Sequence, residues 1–324
     1  MNSKKSTKFR LFPSGVKSAP DFFRGYFVYL ALTALIIFFS LASPYFLTAQ
    51  NLFNIGRQTT AVSIIAVGMT FVIINAQIDL SVGSVFALSG MTSALVMQYV
   101  NNFWLLGALA AIAVGVVIGF INGWVTVKLG VPSFLVTLGT LGIARGIALI
   151  ITDTKPVLIS NPAYFQLFGD SSFLGIPIAV IWTLVIVIAG FIVLHKTTFG
   201  LRVFATGGNP QAARFTGINT HRTIIASFMI VGALAGLASL QFTAIARAAR
   251  PDLAAGLELD VIAAVILGGV SLFGGRGTIV GALAGSLIIG VMNNGLVLLG
   301  VSSSFQEIIK GIIIIAAVSL GKKK

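Results

Sequence analysis

The chain is 324 residues long, 57% hydrophobic and 9% charged, with a mean hydropathy of +1.02, which leaves too little polar surface for a soluble globule of this length. The formal net charge of +13 is read as a record of which segments face the cytoplasm, not as a nucleic-acid footprint. Absence of cysteine excludes a disulfide framework or thiolate metal site, and two histidines are too few for a histidine-rich one.

Residues 1–24 form a basic tail, expected on the cytoplasmic side near anionic lipid. Apolar stretches of membrane-crossing length, about 17 to 25 residues as helix, then follow at 25–43, 59–78, 80–98, 104–127, 134–151, 177–195, 223–243 and 278–299. Two weaker ones lie at 259–273, which runs into the glycine-rich LGGVSLFGGRG, and at 304–320, which carries Glu307 and Lys310. The first stretch is too long for the apolar core of a cleaved signal peptide and reads as an uncleaved span. The expectation is an all-α integral membrane protein of ten spans with both termini cytoplasmic. Spans one to six occupy 25–195, a loop 196–222, spans seven to ten 223–320, and a short tail 321–324. With the N-terminus inside, inner segments hold fifteen of the 21 lysines and arginines, outer segments four (Arg57, Lys155, Arg247, Arg250), and Arg145 and Lys310 fall within spans. That asymmetry supports the topology.

The fourth and ninth spans resemble each other. IGFINGWVTVKLGVPSF at 118–134 returns as IGVMNNGLVLLGVSSSF at 289–305, pairing Gly119 with Gly290, Asn122 with Asn293, Gly130 with Gly300, Val131 with Val301 and Ser133 with Ser303 once one residue is skipped. The copies enter the membrane from opposite faces, which implies two inverted five-helix halves. Chance similarity between apolar segments is the alternative.

Polar groups at membrane depth are costly and normally face a bundle interior or a water-filled path. Candidates are Asn75, Gln77, Asp79, Ser81 and Ser84 near the junction of spans two and three, Asn122, Asn293 and Asn294 in the repeat, Arg145, Gln241, and Glu307 with Lys310 at helical spacing. Together they suit a neutral, hydrogen-bonding passage. Taken singly, each is better explained as helix-to-helix glue, with Glu307 and Lys310 neutralising one another. Gly277, Gly281 and Gly285 fall four apart, a spacing that lets helices approach closely.

The loop 196–222 contains a helix-sized piece between turn glycines. Gly207 and Gly208 end one segment, Asn209 can cap the next, Pro210 suits its first turn, Gln211 to Phe215 continue it, and Gly217 stops it. Such a helix either transmits force from a soluble partner or is a plain connector.

GGNPQAARFTGIN in this loop resembles the coupling-helix loop of ABC-importer permeases of the ribose, xylose, arabinose and galactose type. QIDLSVGS at 77–84, SFLVTLGTLGIARG at 133–146 and GLELDVIAAVILGGVSLFGGRGTIVG at 256–281 are similar to the same family at matching places. The resemblance covers nearly the whole chain beyond the basic tail. It implies a permease of the bacterial cytoplasmic membrane that pairs with a second copy as a homodimer. A cytoplasmic ATPase subunit would energise it and an extracytoplasmic sugar-binding protein would supply it, with ribose the family default. On this resemblance Gly207, Gly208, Asn209, Pro210, Gln211, Ala212, Ala213, Arg214 and Gly217 dock on the ATPase. Asp79 to Ser84 and the stretch from Glu258 through Asp260 to Gly269 flank the gated path. Gln211 stands where related loops often carry an acid, and Ala76-Gln77 replaces a frequent glycine pair.

No GxxxxGK[ST] phosphate cradle occurs, so ATP and magnesium would belong to the partner and this chain would hold no cofactor of its own. An ion-coupled carrier is the alternative, since inverted repeats permit it equally. An integral-membrane enzyme has no nucleophile, metal or acid–base constellation to draw on.

Overall fold

The computed structural model describes residues 19–321, with side chains described over 27–313 and at 315. The expected tail at 1–24 is therefore described only where the first helix begins, and Lys322 to Lys324 lie outside the described residues. The helices are α1 Ala19–Ala42, α2 Ala49–Ile74, α3 Val82–Tyr99, α4 Trp104–Lys128, α5 Ser133–Ile150, α6 Pro162–Phe168, α7 Ile178–Lys196, α8 Thr198–Gly208, α9 Pro210–Phe215, α10 Thr220–Ala246, α11 Leu257–Leu267, α12 Ile279–Leu298 and α13 Ser303–Gly321. Two antiparallel pairs complete the described chain. β1 (Val157–Leu158) pairs with β4 (Ala248–Ala249), and β2 (Ser172–Phe173) with β3 (Ile176–Pro177).

Seven of these helices, α2, α3, α4, α5, α7, α10 and α12, are long and apolar enough to cross a membrane. The described apolar part of α1, Phe27–Ala42, is shorter, and the 11 residues of α11 are too few to cross alone. α2 starts at Ala49, earlier than hydropathy places it, because Thr48 caps it by accepting from the Asn51 N–H at 3.3 Å. It stops at Ile74, and the rest of the apolar stretch to 78 is not helix.

α2 is the central strut. Ile64, Ile65, Met69, Ile73 and Ile74 are fully buried, joined by Val231, Ala235 and Ala238 of α10 and by Val261 and Ala264 of α11. α10 lies against α4 along small residues. A Cβ on Gly123 would meet Ile225 Cα at 2.7 Å, and one on Gly236 would meet Ala111 O at 2.5 Å. Without attraction between apolar surfaces in lipid, such close approach supplies the contact energy. Gly281 and Gly285 pack in the same way on Gly268 and Ala264, whereas Gly277 precedes α12 and lies against Val270 instead of extending the helical stripe. The most apolar windows of α4, α5 and α7 are only 28%, 22% and 28% buried, so these helices present broad outward faces.

Candidate functional site

Two breaks in the helical framework gather the polar interior. Between α2 and α3, residues 75–81 are non-helical, with Ala76 at φ 58°. Backbone N–H groups freed at this depth need internal partners, and α5 supplies them. Ser133 Oγ accepts from Ile78 N at 3.1 Å, and Thr137 Oγ1 accepts from Leu80 N at 3.0 Å. Asp79 Oδ1 accepts from the Ser81 N–H at 2.8 Å and from its hydroxyl at 2.6 Å. Asn122 Nδ2 donates to Ser81 Oγ at 3.0 Å, and Thr140 Oγ1 donates to Asn122 Oδ1 at 2.6 Å. Asn75 Nδ2 donates to Ser227 Oγ at 2.8 Å and to Phe71 O at 3.0 Å.

Asn75, Asp79, Ser81, Ser84 and Asn122 are all 2% exposed or less. The structure thus joins Asp79, Ser81 and Asn122 as one brace, while Asn75 is tied separately to Ser227 and the Ser84 hydroxyl has no hydrogen-bond partner among the described residues. Gln77 is half-buried, with Nε2 3.4 Å from Asn75 O.

The second break precedes α11. Gly256 adopts φ +84° before the helix begins, and Arg145 of α5 secures the incoming strand by donating to Pro251 O at 2.9 Å and Leu253 O at 2.8 Å. Glu258 Oε1 accepts from Gly256 N at 3.3 Å. Its Oε2 is buried without a hydrogen-bond partner among the described residues and lies against Gly83 in the first turn of α3, where a Cβ would also meet Ala254 O at 2.6 Å. Two helices that start inside the bundle therefore touch at their first turns. A carboxylate there answers the positive end of the helix dipole.

Asp260 and Lys310 are joined across α11 and α13, Nζ lying 3.1 Å and 3.2 Å from the two carboxyl oxygens. This corrects the expected Glu307–Lys310 neutralisation. A lysine on one helix face reaches a carboxylate on the neighbouring helix, and Glu307 is left exposed. The repeat asparagines differ in surroundings. Asn122 belongs to the brace, Asn293 is half-buried with Oδ1 unpartnered among the described residues, and Asn294 exchanges hydrogen bonds of 2.9 and 3.0 Å with Asn51. Gln241 is 1% exposed, with neither amide atom partnered among the described residues.

The third assembly sits at the end of the bundle that carries Lys128, Lys196, Arg202, Arg214, Arg222 and Arg276. α8 closes at Gly208, and Asn209 caps α9 by accepting from Ala212 N at 3.0 Å. Pro210 occupies the first turn and Gly217 turns out at φ +83°. Ala213 is the buried residue of α9, while Gln211, Ala212 and Phe215 are exposed. Arg214 Nε donates to Thr220 Oγ1 at 2.9 Å and its Nη2 lies 3.3 Å from His221 Nε2.

Gly207 fills a gap in which no side chain fits. A Cβ there would be 2.7 Å from Ile74 C and 2.9 Å from Gly275 N, while Gly275 N donates to Ile74 O at 2.9 Å. The loop between α7 and α10 thereby packs, backbone against backbone, on the end of α2 and on the turn between α11 and α12.

At the opposite end, Arg247 pairs with Asp170 at 2.7 Å and stands 5.1 Å over the Phe165 ring. Tyr164 is buried below them, its hydroxyl 2.7 Å from Thr243 Oγ1, and burial pushes its phenol up to about 12. Sequence reasoning missed Asn51, Ser227, Gly83 and the α5 hydroxyls. Ser133, Thr137 and Thr140 at i, i+4 and i+7 mark one helix face, a signal the sequence did contain.

Seven helices of membrane-crossing length, with braced non-helical segments before α3 and α11 and an exposed capped helix in the connection between α7 and α10, define a multi-pass membrane protein. The chain belongs to the family described as branched-chain amino acid transport system / permease component, whose model matches residues 51–318. It is 44% identical over 299 residues to the ribose import permease protein RbsC of Escherichia coli K12, covering 91% of this chain and 92% of the relative. Identity to RbsC of Bacillus subtilis 168 is 43% over 298 residues, covering 91% and 92%. To the L-arabinose transport system permease protein AraH of Escherichia coli K12 it is 36% over 299 residues, covering 92% and 90%. No solved structure matches the chain.

Proposed function

We propose that this chain is the permease subunit of an ATP-binding-cassette sugar importer in the bacterial cytoplasmic membrane, with ribose as first substrate. The similarity to ribose and arabinose permeases along nearly the full length supports the substrate class. In this reading the chain makes ten spans, counting α1, the short α11 and α13. α3 and α11 are then the third span of each half and run in opposite directions, as inverted halves require. The basic end faces the cytoplasm with both termini. ATP and magnesium are held by the ATPase subunit, an extracytoplasmic binding protein delivers the sugar, and this chain contributes no covalent chemistry.

The observation that carries the reading is the backbone junction of Gly207, Ile74 and Gly275. α9, from Pro210 to Phe215, docks on the ATPase. Its displacement reaches Ile74, where the α2–α3 break begins, and Gly275, in the turn between α11 and α12. One input thus moves both halves.

The path forms against a second copy. The outward face of α5 carries Gly139, Gly142 and Gly146, where added Cβ atoms would meet nothing within 4 Å. Such a smooth strip suits close approach of another helix, and the brace of Asp79, Ser81, Asn122 and Thr140 fixes α5 from behind. Affinity for the sugar resides mainly in the binding protein.

Co-reconstitution of the chain with the ATPase and binding protein in liposomes is expected to give ATP-dependent uptake of labelled ribose. Ribose uptake driven by a proton or sodium gradient without ATP would instead assign an ion-coupled carrier, with Glu258 and Asp260 as its acids.

A further inference from the structure

A cleft of about 510 Å³ opens at the basic end between α8 and the start of α10, lined by Phe199, Arg202, Ile218, Asn219, Arg222 and Ala226 among others. Its polar rim is cationic and uncompensated. Residues 196–222 contain Lys196, Arg202, Arg214 and Arg222 and no aspartate or glutamate. Arg214 is engaged with Thr220 and His221, but Arg202 and Arg222 are exposed and neither pairs with a carboxylate among the described residues. Asn219 uses its carbonyl oxygen to cap α10 through Arg222 N at 3.0 Å, which leaves its amide hydrogens for another acceptor. The inner wall is apolar, formed by Phe199, Ile218 and Ala226, and the neighbouring Leu201 is 70% exposed.

Two guanidinium groups over a concave wall match a phosphate group, which they can grip through paired charge-assisted hydrogen bonds. An apolar wall beneath them matches the glycerol and first acyl carbons of a lipid more closely than free phosphate. We propose that this cleft binds a phosphate group, carried by an anionic phospholipid of the leaflet on the basic side, between Arg202 of α8 and Arg222 of α10. Thr216 and Gly217, which join α9 to α10, also line it. An occupied cleft therefore sets the angle at which α9 is presented to its partner. The membrane side assigned to this cleft rests on the permease reading. Binding itself does not, so the two fail separately.

The test is lipid retention by the purified full-length chain, measured by native mass spectrometry after exchange into mixed phosphatidylcholine and phosphatidylglycerol. Selective retention of phosphatidylglycerol is expected. Arg202→Gln and Arg222→Gln should each weaken it about tenfold, the scale of one charge-assisted hydrogen bond, and Lys155→Gln at the opposite end should leave it unchanged. Millimolar inorganic phosphate is added in a second arm. Saturable phosphate binding that needs both arginines, without lipid preference, would keep the phosphate site and assign it to the free ion. No preference for either phosphate source in the wild type, or full retention in monodisperse Arg202→Gln and Arg222→Gln proteins, would overturn the proposal. So would arginine variants that lose only association with the ATPase, since that outcome makes the cleft a protein contact.

Discussion

Replacing Gly207 by alanine adds one methyl group at the point where the connection between α7 and α10 meets the helical core. The new carbon would stand 2.7 Å from Ile74 C and 2.9 Å from Gly275 N, against about 3.5–4.0 Å for an unstrained contact. All of these neighbours are backbone, so no side chain can rotate away and the junction must open by roughly 1 Å. Overpacking of this kind costs about 1–3 kcal/mol, and it falls on the hydrogen bond from Gly275 N to Ile74 O. If the junction transmits ATPase movement, that loss corresponds to a coupling defect of about 5- to 150-fold. ATP-driven ribose uptake by the reconstituted importer should fall accordingly, while the variant still inserts, binds the ATPase and supports ATP hydrolysis. Gly311→Ala in α13 is the matched control, because a Cβ there meets nothing within 4 Å. Unchanged uptake in Gly207→Ala, or equal damage from Gly311→Ala, would refute transmission through this junction.

Asn122→Leu removes the donor to Ser81 and an acceptor of Thr140 inside a fully buried cluster. Thermal unfolding in detergent should show a destabilisation of about 2–3 kcal/mol. Lys310→Met leaves Asp260 without its cation on a partly buried pair. It should cost about 3 kcal/mol, and the Asp260→Asn/Lys310→Met double variant should recover most of that in the same unfolding assay. Ala213→Glu places a charge at the buried position of α9 and should abolish ATP-dependent uptake without reducing membrane yield. Gly142→Leu meets open space within one chain, so it should insert normally yet weaken self-association measured by cross-linking, together with transport.

Local chemistry was the legible part. The α9 helix follows from Asn209, Pro210 and Gly217, each acting within four residues of its own position, and the structure shows that cap and turn. Hydropathy located most long helices but misjudged α2 at both ends. Residues 49–58 look too polar for a span, yet they are helical because Thr48 caps them and Asn51 finds Asn294 across the bundle. Residues 75–78 look like a continuation of the span, yet they leave the helix because Ser133 and Thr137 satisfy the released N–H groups of Ile78 and Leu80. Partner choice is the level that one-dimensional spacing does not carry. Lys310 had Glu307 at favourable spacing on its own helix, and it took Asp260 because packing of α11 on α13 brought that carboxylate closer.

The distribution of acids links the two breaks to each other. The sequence has eight aspartates and glutamates, and three of them, Asp79, Glu258 and Asp260, lie at or just before the first turns of α3 and α11. Those turns meet inside the bundle with like-signed dipole ends, which repel unless negative groups stand beside them. Asp79 holds the start of α3 through Ser81, and Glu258 extends from α11 against Gly83, so each helix start depends on a carboxyl group set by the chain's own fold. A contact balanced in this way is sensitive to small displacements, because Glu258 Oε2 has no hydrogen-bond partner among the described residues to hold it. Under the proposed coupling, a displacement of Gly207 would be passed to Ile74, at the entry to the first break, and to Gly275, beyond the far end of α11. The meeting point of α3 and α11 would then be where one push at the basic end is divided between two oppositely approaching helices.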